Sequence, residues 1–166
     1  MTGPVRRPPQ VAVVGPGDTG DERLLADAEA AGAGLARLGA VVVTGGLGGV
    51  MAAASRGAKG AGGRVIGMLP GADAAAANEW VDVAVPTGLG QGRNLLVVRS
   101  ARVVVAVGGS WGTLVEIALA RRLDIPVVSL HGWSVVGPAD GDGVVEVTSA
   151  DEAVRAAASW LSSSPS

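Results

Sequence analysis

The segment that most constrains the fold of this chain is residues 103–120, with the sequence VVVAVGGSWGTLVEIALA. Its first five residues are apolar and mostly β-branched, which is typical of a strand buried on both faces of a parallel sheet. Glycines then interrupt the chain at residues 108–112, and a helical pattern begins at Thr113. A strand, a glycine-rich turn and a helix N-terminus in this order leave backbone N–H groups free. The segment therefore predicts a binding site for an anion such as phosphate, formed by Gly108, Gly109, Ser110, Gly112 and Thr113.

Glu116 admits two interpretations, and the sequence leaves both open. It lies three residues after Thr113, which is the Thr-x-x-Glu spacing of a capping box that stabilises a helix start by about 1 kcal/mol. Alternatively, its carboxylate points into the same pocket as the anion, where it holds a sugar hydroxyl or acts as a general base. The two roles compete, because a carboxylate folded back onto the Thr113 N–H is less free to meet a ligand.

Two earlier strands also end in glycine-rich turns. The strand at residues 11–14 is followed by GPGDTG and by a helix at 21–38, which Asp18 or Thr19 caps. Two interpretations of this turn stay open: it binds a ligand through Gly15, or it only connects the strand to the helix. The strand at 41–43 runs into a turn with four glycines in five residues, which is costly in conformational entropy. This favours a second anion- or nucleotide-binding surface over a packing role, with the candidate residues Gly45, Gly46, Gly48, Gly49 and Met51.

A third candidate is the pair Arg93 and Asn94, which opens an apolar helix after the loop GLGQG. The start of a helix is an unfavourable place for a cation unless an anionic ligand lies nearby. Arg93 is either a solvated side chain at the helix start or a ligand-binding residue, and the pattern favours the second interpretation.

The remaining chain continues the alternation of strands and helices. Strands are predicted at 64–70, 81–85 (near an edge), 125–130 and 144–147, and helices at 51–61 and from Ser149 or Asp151 to 161. Residues 71–79 form a short helix or a mobile lid. This predicts an α/β fold, a Rossmann-like, open, mostly parallel sheet with helices on both faces. One domain spans residues 11–161, between a disordered tail at 1–10 and a polar tail at 162–166. Since the glycine-rich turns follow strands, they converge at the carboxyl edge of the sheet as one composite site.

Composition excludes several classes of chemistry. The chain has no Cys, one His and one Lys, so disulfides and zinc sites built from several Cys or His ligands are excluded, and no metal site is predicted. Lys59 is expected at an exposed helix end and His131 on the surface after a strand. The net charge is −2 and the chain has no block of basic residues, which argues against nucleic-acid binding. There is no membrane-length apolar run and no secretory signal, so a cytoplasmic protein is expected.

Two sequence blocks carry a family resemblance. The first, VVTGGLGGVMAAASRGAKGAGGRVIGMLPG, resembles the block GGGxxGxMxxxxxGAxxxGGxVxGxLP of the LOG-like, Rossmann-type family. The second, GRN followed by SARVVVAVGGSWGTLVEIALA, resembles that family's Arg followed by a strand and PGGxGTxxE. The family includes cytokinin riboside 5′-monophosphate phosphoribohydrolases, often mislabelled as lysine decarboxylases. The pattern is closer to the subgroup that contains molybdenum-cofactor carrier proteins.

The resemblance implies that Arg93 and Glu116 are the catalytic pair and that Gly109, Gly112 and Thr113 belong to the phosphate-binding loop. Gly45, Gly46 and Gly49 match the first glycine block of the family. The chain departs from the pattern at Gly108 and Ser110, which replace a Pro and a Gly, at Arg102, which replaces an Asp, and at Asn94, where phosphoribohydrolases have Lys. Loss of that Lys removes a cation that would hold a nucleotide phosphate.

Two functions therefore stay open. One is hydrolysis of the N-glycosidic bond of a nucleoside 5′-monophosphate to base and ribose 5-phosphate. The other is a non-catalytic carrier or sensor that binds the molybdenum cofactor or another phosphorylated ligand. Neither requires a further cofactor; a nucleotide, phosphate or the molybdenum cofactor is the expected bound group. The resemblance also implies a homodimer or higher homo-oligomer, with the helix at 114–123 as a candidate interface.

Overall fold

The computed structural model describes residues 7–139 and 144–162, and they fold as alternating strands and helices. The strands are β1 (Gln10–Val14), β2 (Val41–Thr44), β3 (Arg64–Leu69), β4 (Val83–Pro86), β5 (Val103–Val107), β6 (Val127–Leu130) and β7 (Val145–Val147). The α-helices are α1 (Glu22–Arg37), α2 (Gly49–Gly60), α3 (Arg93–Arg99), α4 (Trp111–Arg122) and α5 (Ala150–Ser162).

The strands form one sheet in the order β4-β3-β2-β1-β5-β6-β7, and every neighbouring pair is parallel. The chain builds outward from β1 to β4 on one side, then crosses over and builds from β5 to β7 on the other. The order of the strands thus reverses between β1 and β5, and ligands of open α/β sheets bind at the carboxyl ends of the strands beside such a reversal.

Side chains alternate along the strands and fill two apolar layers. In β1, Val11 and Val13 join the layer covered by α1, α2 and α5, whereas Ala12 and Val14 join the layer covered by α3 and α4. The fully buried residues of both layers are Val, Ala, Leu and Ile, and Trp160 and Trp133 are partly buried against them. The predicted α/β class, with an open parallel sheet between helices on both faces, is confirmed.

Helices α1 and α2 cross at backbone contact distance. A Cβ atom at Gly57 of α2 would overlap the carbonyl oxygen of Glu29 in α1, and one at Gly32 of α1 would overlap the carbonyl oxygen of Ala54 in α2. Only glycine fits both positions, so the absence of these two side chains sets the separation of the helices.

Several predicted boundaries and caps are wrong in detail. The cap of α1 is Asp21, not Asp18 or Thr19, and its Oδ1 accepts from the backbone N–H groups of Arg23 and Leu24 at 3.0 and 3.3 Å. Strand β1 begins at Gln10 and α5 ends at Ser162, which is one residue beyond the predicted domain at each end. Residues 1–6 of the predicted disordered tail and 163–166 of the predicted polar tail lie outside the described residues.

The segment between β3 and β4 contains only one short 3₁₀ turn, Ala74–Ala76, which Asp73 caps. Strand β4 lies at the edge of the sheet, as the alternation of its sequence predicted. In the part of the chain that the structure describes, no helix is both long and apolar enough to cross a membrane. The cytoplasmic location stays a prediction.

Four large apolar side chains are exposed on the neighbouring helices α3 and α4, and we call them the outer apolar face. Their exposed fractions are 45% for Leu95, 39% for Leu96, 76% for Trp111 and 53% for Val115. Within residues 114–123, the candidate interface helix, Ile117 and Ala120 are fully buried in the core, and the interface itself stays a prediction.

Candidate functional site

A cleft of about 380 Å³ opens at the carboxyl edge of the sheet, beside the reversal of strand order. Its walls come from the turns after β1, β2, β3 and β5 and from the first turns of α2, α3 and α4. Its volume lies in the range of small-molecule sites, which is about 300–1,000 Å³. The lining residues are Val14, Gly15, Gly17, Gly45, Leu47, Met51, Pro70, Gly90, Gln91, Arg93, Asn94, Ser110, Gly112, Thr113 and Glu116.

The N-terminus of α4 forms one wall of the cleft. The helix begins at Trp111, and the side chain of Ser110 caps it by accepting from the Thr113 N–H at 3.2 Å. The Ser110 and Thr113 hydroxyls are also hydrogen-bonded, at 2.9 Å. The cap leaves the N–H groups of Trp111 and Gly112 without an acceptor inside the helix. These donors and the positive end of the helix dipole suit an anion.

The capping-box interpretation of Glu116 is wrong. Because α4 begins at Trp111, Thr113 is its third residue and Glu116 lies in the second turn. The position of the capping carboxylate is therefore taken by Thr113, and the Glu116 side chain lines the cleft instead. The sequence placed the helix start too late because Ser110, rather than Thr113, supplies the cap.

Arg93 fastens two strand ends together. Its Nη1 donates to the carbonyl oxygens of Gly45, after β2, and Met68, in β3, both at 2.5 Å. Its Nε donates to Oδ1 of Asn94 at 2.9 Å, and Asn94 is itself buried, with 8% of its surface exposed. The guanidinium is thus held by three protein oxygens, and partial burial lowers the pKa of Arg93 while nearby Glu116 acts in the opposite sense.

Gly45 is needed for this arrangement. A Cβ atom at residue 45 would overlap Nη1 of Arg93 and would lie 2.5 Å from the sulfur of Met51. The glycine therefore lets the guanidinium reach the strand-end carbonyl groups, which is a packing function within the site.

Burial governs the charge of Glu116. Removal from water raises its pKa from an ordinary 4.5 to about 7, and the opposing attraction of Arg93 is smaller. Among the described residues no group donates a hydrogen bond to this carboxylate, so the attraction of Arg93 is the one effect that opposes burial. Near neutral pH the group is divided between its acid and its carboxylate form, which suits a proton donor or acceptor.

The structure brings most of the predicted site residues to one place. Arg93, Asn94, Glu116, Gly15, Gly45, Met51, Ser110, Gly112 and Thr113 line the cleft. Five others support its walls from behind and do not line it: Gly46, Gly48, Gly49, Gly108 and Gly109. Gly46 packs on β3, Gly48 and Gly49 pack on the turn after β1, Gly108 packs on Leu24, and Gly109 lies beside Trp133.

Six lining residues were not among the predicted site residues: Val14, Gly17, Leu47, Pro70, Gly90 and Gln91. Gly17 lies shortly after one predicted strand and Pro70 ends another, so the rule that placed the other turns at the carboxyl edge could have included them. Gln91 belongs to the short 3₁₀ turn Gly90–Gly92 that leads into α3. Its place in the wall depends on that turn, for which the sequence has no distinct signal.

The remaining single residues are where the sequence placed them. Lys59 lies near the end of α2 and forms an ion pair with Asp82 at 2.6 Å. Nε2 of His131 lies 3.2 Å from Nη2 of Arg23 and 3.4 Å from Oδ2 of Asp27, outside the cleft lining. No group of three or more potential metal ligands occurs within residues 7–139 and 144–162.

Comparisons with known proteins identify close relatives of this chain. The structure is similar to the molybdenum cofactor binding protein of Rippkaea orientalis, with 35% identity, a TM-score of 0.86 and coverage of 94% of this chain and 99% of that one. It is also similar to the molybdenum cofactor carrier protein of Chlamydomonas reinhardtii, with 36% identity, a TM-score of 0.82 and coverage of 95% and 100%. An uncharacterized protein of Archaeoglobus fulgidus is 39% identical over 121 residues, 73% of this chain and 79% of that protein.

Residues 8–159, which include all seven strands and nearly all of the five helices, match a single family. The match covers both glycine-rich blocks and the Arg93–Glu116 pair, so the resemblance to LOG-like proteins near the molybdenum-cofactor carriers is confirmed. The chain belongs to the SLOG cluster4 family.

Proposed function

We propose that this protein is a carrier that binds a phosphorylated ligand of the molybdenum-cofactor type in the cleft, without turning it over. The observation that carries the proposal is the start of α4, where Ser110, Gly112 and Thr113 line a cleft of small-molecule size and the first N–H groups have no acceptor within the helix. The similarity to proteins described as binding or carrying the molybdenum cofactor supports this choice of ligand class.

The residues of the cleft fit the phosphate end of such a ligand. Among the lining residues, the Gly112 N–H group and the hydroxyl pair of Ser110 and Thr113 lie at the positive end of a helix dipole. No step of chemistry is needed for this role, because a carrier has only to bind the cargo and release it.

The bonding of Arg93 favours a carrier over a hydrolase. Two of its three guanidinium nitrogens are held by the Gly45 and Met68 carbonyl groups and by Asn94. Asn94 stands where phosphoribohydrolases have Lys, so the cleft has one cation where those enzymes have two. Arg93 therefore shapes the wall more than it presents charge to a leaving group.

A phosphoribohydrolase is the second candidate, and Glu116 favours it. A carboxyl group in the cleft with a pKa of about 7 can exchange a proton at neutral pH. As a carboxylate it would stabilise an oxocarbenium-like transition state while water replaces the base on the ribose. The lysine decarboxylase label sometimes attached to such proteins does not fit the resemblance.

The test uses a variant that blocks anions without disturbing the fold. The nearest heavy atom to a Cβ at Gly112 is 3.7 Å away, so a side chain fits there. Gly112→Asp places a negative charge at the anion end of the cleft, and Gly112→Asn is the neutral variant of equal size. Ligands are molybdenum cofactor released from a purified molybdoenzyme, and AMP, GMP, IMP, CMP and UMP.

We expect the molybdenum cofactor to raise the Tm of the wild type and of Gly112→Asn but not of Gly112→Asp. Chromatography should show no free base from any nucleotide. Base released by the wild type and lost in Glu116→Gln would establish the hydrolase instead. No rise in Tm with the cofactor would refute the carrier proposal.

A further inference from the structure

The cleft contains only two charged side chains among its lining residues, Arg93 and Glu116. The turns after β1 and β2 contribute only uncharged lining residues, α3 contributes Arg93, and α4 contributes Glu116. The two side chains affect each other electrostatically but do not form a direct ion pair. An anion that enters this cleft therefore meets an acidic side chain that has no ion-pair partner within residues 7–139 and 144–162.

Arg93 cannot turn to neutralise both the ligand and Glu116. Its Nη1 and Nε are held by three protein oxygens, at 2.5, 2.5 and 2.9 Å. Moving the guanidinium toward Glu116 would leave the carbonyl groups of Gly45 and Met68 without their donor, which costs free energy at a partly buried site. The positive charge in the cleft is therefore fixed in place.

A ligand anion and an ionised Glu116 in one cleft repel each other, and the burial of Glu116 reduces the screening of this repulsion by solvent. A proton on the carboxyl group removes the repulsion and also supplies an O–H donor that can point at the ligand. Proton uptake therefore replaces a repulsive contact by an attractive one, with no movement of the backbone.

We propose that an anionic ligand enters this cleft together with one proton, which the Glu116 carboxyl group takes from solvent and holds while the ligand is bound. The inference rests on the proposed function only in that the cleft takes an anion. The proton returns to solvent when the ligand leaves, so rising pH releases the ligand.

The pKa of Glu116 in the protein without ligand agrees with proton uptake on binding. Burial already raises the pKa of Glu116 to about 7, and a bound anion raises it further. The carboxyl group of the empty protein therefore changes charge near neutral pH, where a small change in pH alters the fraction of protein ready to bind.

The test uses inorganic sulfate as the probe, because its charge does not change between pH 5.5 and 8.5. Sulfate affinity is measured from the rise in Tm with concentration across this pH range. If only the protonated form binds, affinity for the wild type falls about tenfold per pH unit above pH 7. Glu116→Gln cannot ionise, so its affinity should be flat and about 30-fold tighter than that of the wild type at pH 8.5.

Two further variants serve as controls. Exposed Glu79→Gln removes a carboxylate outside the cleft lining and should keep the wild-type pH profile. Gly112→Asp should lose sulfate binding at every pH, which locates the probe in the cleft. A wild-type affinity that is flat from pH 5.5 to 8.5, the same slope in Glu116→Gln, or no sulfate binding by either protein would overturn the proposal.

If Glu116→Gln does not fold, the carboxyl carbon of Glu116 is titrated by NMR in the wild type with and without sulfate. We expect its pKa to rise when sulfate is present, and an unchanged pKa would overturn the proposal. The result is separable from the carrier assignment, because sulfate can show the proton linkage even if the molybdenum cofactor fails to bind.

Discussion

Replacing Glu116 by Gln should stabilise the empty protein at alkaline pH. The folded state holds a proton on Glu116 more tightly than the unfolded state, since burial raises the pKa from 4.5 to about 7. Between these two pH values the native protein binds more protons than the unfolded chain, so stability falls as pH rises and then levels off above about pH 7. Gln keeps the shape of the protonated acid but cannot ionise.

The size of the effect follows from the two pKa values. Each tenfold change in a proton-binding constant is worth about 1.4 kcal/mol, so the full difference is up to about 3 kcal/mol in favour of Glu116→Gln at pH 8.5. At pH 5 the same calculation leaves less than about 1 kcal/mol. The attraction between Arg93 and the carboxylate is already included, because it lowers the same pKa.

The measurement is urea unfolding followed by Trp fluorescence at pH 5 and 8.5. Exposed Glu79→Gln is the matched control and should change stability by less than about 0.5 kcal/mol at both pH values. An equal effect of Glu116→Gln at the two pH values, or a wild type that is the more stable protein at pH 8.5, would show that burial does not govern this carboxyl group.

Two further predictions concern Arg93 and the outer apolar face. Arg93→Lys should lower the free energy of unfolding by about 1–3 kcal/mol, because one ammonium cannot replace the donors to two strand-end carbonyls and Asn94. Arg99→Lys on the exposed side of the same helix should be neutral in the same urea titration. We also propose that the outer apolar face joins copies of the chain. Val115→Asp should then shift size-exclusion elution at two protein concentrations toward the monomer. Val83→Asp, at a position equally exposed at 53%, should leave elution unchanged, and the same elution for both variants would count against this interface.

The sequence predicted the sheet, both helical layers and the edge at which the site lies. Runs such as residues 103–107 and 41–43 are apolar at every position, which only strands buried on both faces require. The same rule placed the glycine-rich turns after strands and so predicted that Gly45, Arg93 and Glu116 lie together at one edge of the sheet. The arrangement of the strands could therefore be predicted, because the burial and the direction of each strand both follow from local sequence patterns.

The details of the site could not be predicted from the sequence, for two physical reasons. The start of α4 was placed at Thr113 because Ser, Thr and Gly all favour caps, and the structure chooses Ser110. The hydrogen bonds of Arg93 to Gly45 and Met68 join residues 48 and 25 positions apart, and no local pattern reports such contacts. Likewise the five supporting glycines are the same residue type as the glycines that line the cleft. Only the atoms around each glycine show whether it lines the cleft or supports its wall.

The glycine crossing of α1 and α2 also makes one side of the cleft rigid. With backbone against backbone at Gly32 and Gly57, no side chains can be repacked to let one helix slide along the other. The turns that lead into these helices carry Gly15, Gly17, Gly45 and Leu47 of the cleft. That side of the cleft is therefore preorganised, so binding there would cost little conformational entropy. Selection between ligands on this side would depend on how well each one fits a fixed shape.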